Sequence, residues 1–275
     1  MTDQTAPNSP PRKLRPVNGT RRFAMLRTIW ALMLREMSTT YGKTGGGYIW
    51  AILEPVAGIA LLTMVFSVVS RQPMLGVNFQ IFYATGLVPL LLFTQISSKV
   101  ATSLQFSRAL LFYPAVTYTD ALIARILVNL LTQLLVGYII FAGIMIFWET
   151  RTDPQIGPIL MSYAMISALA VGVGVLNCFL FSFFPVWEKL WSILTRPLFI
   201  ISCIFFTLEA VPRPWRDYLW YNPVAHAIGE MRNGFYHSYS ADYVSYSYVF
   251  GISAVCTLLG LALLQRYHRY ILNET

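Results

Sequence analysis

Six stretches of this sequence are each long and apolar enough to cross about 30 Å of hydrocarbon. They lie near residues 48–70, 79–98, 122–147, 159–184, 190–209 and 246–265. Only 12% of the 275 residues are charged and 56% are hydrophobic, where a soluble domain carries about 25% charge. A mean hydropathy of +0.56 over the whole length leaves more apolar surface than one water-soluble core can hide. The expected fold is therefore an all-α integral membrane protein with six transmembrane helices. No repeat of fixed period and no second soluble domain is evident.

Ahead of the first span the chain changes character twice. Residues 1–20 are rich in Pro, polar groups and charge, and read as a disordered cytoplasmic tail. Over 21–44, Phe23, Leu26, Trp30, Met33, Met37 and Tyr41 recur at helical spacing on one face, with Arg27, Thr28, Ala31, Arg35 and Ser38 largely opposite. A basic amphipathic helix just before a span is best placed in the membrane interface. About forty-seven residues precede the first span with no small-residue cleavage pattern after it, so no secretory signal is expected.

Gly42-Lys43-Thr44 has the closing triplet of a phosphate-binding loop, but the motif needs a glycine five residues before Gly42, and that position is Met37. The strand that should precede such a loop is replaced by the basic helix. Gly45, Gly46 and Gly47 instead read as a bend from the interface plane into the first span.

Orientation follows from basic residues outside the spans. With a cytoplasmic N-terminus, Arg12, Lys13, Arg15, Arg21, Arg22, Arg27, Arg35, Lys43, Lys99, Arg108, Lys189, Arg266 and Arg269 lie inside. Arg71, Arg151, Arg213, Arg216 and Arg232 lie outside. Thirteen against five predicts that both termini are cytoplasmic. The external segment 210–245 is too polar to span, yet dense in Trp and Tyr, which prefer the headgroup region. It reads as short helices dipping into the outer leaflet, broken by Pro212, Pro214 and Pro223.

No hydrolase motif and no acid pair of glycosidase type is present. Cys178, Cys203 and Cys256 lie in apolar runs at unrelated spacings and read as small buried hydrophobes, with neither a metal site nor a disulfide framework. His226, His237 and His268 are scattered. The informative polar residues are those at membrane depth, where each is costly: Glu54 beside the kinking Pro55, Arg125, Arg196 before Pro197, and the neutral Gln95, Asn129, Gln133 and Asn177. Two readings stay open, Glu54 fastening helices through one of those cations, or these groups lining a polar pathway. Tyr48, Trp50, Tyr83, Trp187 and Trp191, with Phe82 and Phe93, could supply flat faces to sugar rings in such a pathway. The inside segment 99–121 holds Leu104, Phe106, Leu110 and Leu111 before Phe112-Tyr113-Pro114, an apolar surface of the kind that marks a partner.

The strings LREMSTTYGKTGGGYIWAILEP, ATGLVPLLLFTQISS, SRALLFYPAVTYTDALIAR, RPLFIISCIFF and LWYNPVAHAIGEMRNGF, in that order, resemble the membrane subunits of polysaccharide-exporting ABC transporters. They are most similar to the Gram-negative inner-membrane permeases for capsular polysaccharide, over about residues 25–270. The resemblance implies a homodimeric channel served by two copies of a separate ATPase, which binds ATP and Mg, so this chain needs no cofactor and is not itself an enzyme. It implies that Gln105, Phe106, Arg108, Leu110, Leu111 and Tyr113 form a coupling helix for that ATPase. It makes Trp215, Tyr218, Trp220, Asn222, Pro223, His226, Glu230 and Arg232 a re-entrant element near the channel exit. It implies a lipid-linked, often acidic glycan passed to a periplasmic adaptor and an outer-membrane export protein, with no nucleic acid. O-antigen or teichoic-acid exporters are the near alternatives. A membrane glycosyl- or acyltransferase using His226 and Glu230 is the distant one.

Overall fold

The computed structural model describes residues 24–41, 47–111 and 116–274. The expectations for the tail, for Lys43 and for Tyr113 fall outside them. Among the described residues every regular element is helical. α1 (Ala24–Tyr41) is followed by α2 (Ile49–Val69), α3 (Phe79–Ala101), α4 (Ser103–Leu111), α5 (Tyr118–Phe147) and α6 (Ile156–Phe183). Then come α7 (Pro185–Thr195), α8 (Leu198–Ile201), a 3-10 turn (Leu208–Ala210), α9 (Trp215–Trp220), α10 (Pro223–Phe235) and α11 (Tyr246–Glu274). Five helical stretches are long and apolar enough to cross a membrane: Ile49–Val69, Phe79–Leu111, Tyr118–Phe147, Ile156–Phe183 and Tyr246–Tyr267. The 21 residues of α2 rise about 31 Å, the thickness of the hydrocarbon layer. This is an all-α membrane protein.

The apolar run 190–209 is not one helix. α7 stops at Thr195, and Arg196-Pro197 leads into the short α8, because proline cannot donate to the helix behind it. Cys203 then takes a left-handed φ of 61°, which keeps the α7–α8 run from continuing past it.

Burial separates the inner helices from the outer ones. In the apolar windows of Phe79–Leu111 and Ile156–Phe183, 72% and 61% of residues are buried, against 17%, 28% and 22% for α2, α5 and α11. α3 and α6 are thus the central pair, and the other three face outward. Phe82, Leu92, Ile96, Met165, Ile166 and Leu169 form the core between α3 and α6, with α10 and α11 packed on its flanks. α6 and α11 approach closely enough that a Cβ on Gly260 would lie 2.7 Å from the Leu176 backbone nitrogen, and one on Gly172 would lie 2.5 Å from the Ser253 carbonyl. Small residues at such crossings let backbones meet where no hydrophobic force drives helices together in lipid.

α5 begins at a capping box. Thr117 Oγ1 accepts from the Asp120 amide at 3.3 Å, and Asp120 Oδ2 accepts from the Thr117 amide at 3.1 Å. α1 lies against this end of α5 and buries Ile29, Leu32 and Glu36. The stripe noted in the sequence, with Leu26, Trp30 and Met37, is the exposed one. α1 therefore carries two apolar stripes, one on the bundle and one facing out.

Candidate functional site in two polar grooves

Two half-open grooves meet at Gln95 on α3. The first, of about 180 Å³, is lined by Trp50, Glu54 and Pro55 of α2, Gln95 and Lys99 of α3 and Gln133 of α5. Gln95 Nε2 donates to Glu54 Oε2 across it at 3.5 Å. The second, of about 310 Å³, lies between α3 and α7 and is lined by Thr94, Ser98, Thr102, Glu188, Trp191 and Ser192 among others. The spacing of these residues is a sequence signal for this wall. Residues 94, 98 and 102 recur every four positions, and 188, 191, 192 and 195 every three or four, each set on one helical face.

Of the pathway residues chosen from sequence, Trp50, Glu54 and Trp191 line these grooves. Tyr83 does not, being buried in the core against Phe66, Phe79 and Phe82. Tyr48 lines an apolar groove with Met33, Met37 and Ile52. Trp187 is half-buried and donates its indole N–H to Asn177 Oδ1 at 3.0 Å, tying α7 to α6. Arg196 is exposed at the break between α7 and α8.

Arg125 is engaged elsewhere, in the one ion pair among the described residues. Its Nε lies 3.4 Å from Glu36 Oε1, with both side chains buried. Asn129 Nδ2 donates to the same oxygen at 3.2 Å, and Arg125 Nη2 donates to Thr102 Oγ1 at 3.3 Å. The guanidinium sits 4.3 Å from the Phe106 ring centre, and Arg35 stands 5.3 Å from the same ring. One junction thus joins α1, α3, α4 and α5. The reading in which Glu54 neutralises a buried cation has no geometry here, because Glu36 holds Arg125.

On α4, Gln105 and Ala109 are exposed, Phe106, Arg108, Leu110 and Leu111 are half-buried, and Leu104 is buried. Leu110 packs with Ile29, Leu32 and Ala124, and Leu111 packs on the main core. The leucines that made this segment look adhesive in sequence point inward.

The segment before α11 is held by backbone contacts. Asn222 caps α10 by accepting from the Val224 amide at 3.1 Å, and its Nδ2 donates to the Ile201 carbonyl and Ser202 Oγ, each at 3.1 Å. Pro223 takes the first turn of α10, where a missing N–H is harmless. His226 Nε2 is 2.7 Å from the Trp220 carbonyl, and its Nδ1 accepts from the Ser245 amide at 3.2 Å. This pattern assigns the proton to Nε2. Burial holds the imidazole below its ordinary range, against the opposing pull of the Trp220 carbonyl. Glu230 is buried, and burial raises its carboxyl while hydrogen bonds to Tyr246 and Asn233 pull it back. With both imidazole nitrogens on backbone, His226 has none free to act as a base toward a substrate. Trp215 and Tyr218 are exposed, whereas Trp220 donates to the Tyr243 carbonyl at 3.1 Å. Arg232 is 1% exposed, donates to the Phe206 and Ile204 carbonyls at 2.7 and 2.8 Å, and lies 4.4 Å from the Phe82 ring centre.

The site can therefore bind a polar ligand by hydrogen bonds and ring faces, and among the described residues no His/Cys/Asp/Glu group could hold a metal. The polysialic acid transport protein KpsM of Escherichia coli is similar to this chain, with 33% identity over 239 residues, 86% of this chain and 92% of that protein. The capsule polysaccharide export inner-membrane protein CtrC of Neisseria meningitidis is 24% identical over 243 residues, 88% of this chain and 92% of its own. Residues 27–236, from α1 to the end of α10, match the ABC-2 type transporter family. A match of that extent makes this helical membrane bundle a member of the ABC-2 type transporter membrane family.

Proposed function

We propose that the chain is the inner-membrane permease of an ATP-driven exporter that moves lipid-linked capsular polysaccharide outward. Two copies would form the channel and two copies of a separate ATPase would drive it. Both termini would be cytoplasmic, and α7–α8 would supply the sixth crossing as a broken helix. A periplasmic adaptor and an outer-membrane export protein would receive the glycan. The observation that carries the reading is the pair of polar grooves at membrane depth. A carboxylate and amides facing out of membrane helices are costly against hydrocarbon, which favours a hydrated path or a polar ligand. The names of the relatives, polysialic acid transport and capsule polysaccharide export, support a polysaccharide as that ligand. The test is deletion of the chain in an encapsulated host. Surface polysaccharide should vanish and glycan should accumulate inside, both reversed by the wild-type chain; unchanged surface polysaccharide would refute the reading.

Within this reading Glu54→Gln should change stability by no more than about 0.5 kcal/mol, since no cation depends on it, while export or glycan-stimulated ATP hydrolysis changes. A melting temperature that falls as far as export does would return Glu54 to a fastening role. The exposed Gln105 and Ala109, rather than the inward leucines, should meet the ATPase. Gln105→Glu with Ala109→Arg should abolish co-purification of the ATPase while leaving the melting temperature of the permease unchanged. Retained co-purification with normal export would remove α4 from the coupling role.

A further inference from the structure

The wall between α3 and α7 has an unusual hydrogen-bonding sign. Most of its hydroxyl protons are already committed to carbonyls of their own helices. Thr94 Oγ1 donates to the Leu90 carbonyl at 3.1 Å, Thr102 Oγ1 to Ser98 at 3.2 Å, Ser192 Oγ to Lys189 at 2.7 Å and Thr195 Oγ1 to Trp191 at 3.0 Å. Gln95 gives one of its two amide N–H groups to Glu54. Thr94, Ser192 and Thr195 turn lone pairs to the groove, one of those on Thr102 being taken by Arg125 Nη2 at 3.3 Å, and the exposed Glu188 carboxylate adds an acceptor-only group. The Ser98 hydroxyl, the Trp191 indole N–H and the second N–H of the Gln95 amide are the few donors this lining keeps for a ligand.

We propose that this groove is a glycan subsite that reads hydroxyl and amide donors on the sugar, with Trp191 as the face for a ring, and that Glu188 repels the anionic groups of the same polymer. The inference rests on the polysaccharide reading above and deepens it. An acceptor wall is complementary to O–H and N–H groups, and presents a carboxylate or phosphate with like-signed lone pairs and one like charge. A basic groove would hold a polyanion at every repeat and stop it. An acceptor groove holds each repeat weakly through its donors, so successive repeats can pass. The attraction of an acidic glycan toward the protein is left to the arginines and lysines outside the spans, which act at long range.

The experiment uses the full chain in nanodiscs and two probes, a polysialic acid fragment and its carboxyl-reduced, uncharged derivative. Affinity for each is measured for wild type, Glu188→Lys, Glu188→Gln and Trp191→Leu, with melting temperature as the control for folding. Glu188→Lys should tighten the acidic fragment by about tenfold and leave the uncharged one within about twofold, and Glu188→Gln should move in the same direction by less. Trp191→Leu should weaken both probes by a similar factor. If Glu188→Lys alters neither probe, or alters both equally, the charge-repelling role is wrong. If neither probe binds wild type, or Trp191→Leu binds both as wild type does, the subsite is wrong. Failure of the parent reading is seen separately, as surface polysaccharide that persists when the gene is deleted.

Discussion

Glu36→Ala should destabilise the bundle by about 3 to 5 kcal/mol, because it strips a buried cation of its anionic partner. Arg125 would keep Thr102 and the Phe106 ring, but neither offsets a full charge removed from water. Asn129 would also lose one of its two acceptors, keeping only the Arg125 carbonyl at 2.8 Å. Glu36→Gln retains an oxygen at that place and should fall between the two. Replacing both members, Glu36→Leu with Arg125→Met, removes the charge together with its partner and should recover most of the loss. Thermal unfolding of the purified variants reads this directly, with a fall on the order of 10 °C for the single change. A single variant that melts as wild type does, or a double variant no better than the single, would mean that the pair is not what joins α1 to α5.

The fold class was legible because membrane spans announce themselves through length and apolarity. The run 48–70 contains α2 almost residue for residue, and 159–184 sits inside or beside α6 by a few positions. The break in 190–209 was half legible. Arg196-Pro197 is visible as a helix breaker, but the left-handed turn at Cys203 leaves no trace in residue type, since the glycine or asparagine that would mark such a turn is absent there.

The groove was legible at Trp50, Glu54 and Trp191, where large or charged residues stand out at membrane depth. At Thr94, Ser98 and Thr102 the four-residue spacing marks a shared face, but common helix hydroxyls do not say which second helix turns them into a wall. Arg125 was singled out as a costly polar residue and is one, but its partner could not be guessed. Glu36 belongs to the second stripe of α1, hidden behind the more obvious one with Trp30. Leu110 and Leu111 misled for the converse reason. An apolar side chain says that it must be covered and does not say by what.

Arg232 is the residue whose place was least readable, since its partners are backbone carbonyls that carry no sequence signature, and it leads to the second large effect. Arg232→Met keeps volume over Phe82 but leaves the Ile204 and Phe206 carbonyls unpaired, an expected loss on the order of 4 kcal/mol for the two. Arg232→Lys should do only slightly better, because one ammonium on a flexible stem cannot both reach two carbonyls and lie flat on a ring. The damage should be local at first. The carbonyls that Arg232 holds lie within the stretch running from Cys203, itself 1% exposed, to the 3-10 turn, so this segment should loosen while α3 and α6 stay packed. Native cysteines report the difference. Cys203 should become reactive to an impermeant maleimide in Arg232→Met, while Cys178, fully buried in the α3–α6 core, stays protected. Simultaneous labelling of both would show that Arg232 supports the whole bundle. An unreactive Cys203 with an unchanged melting temperature would show that the segment is held without it.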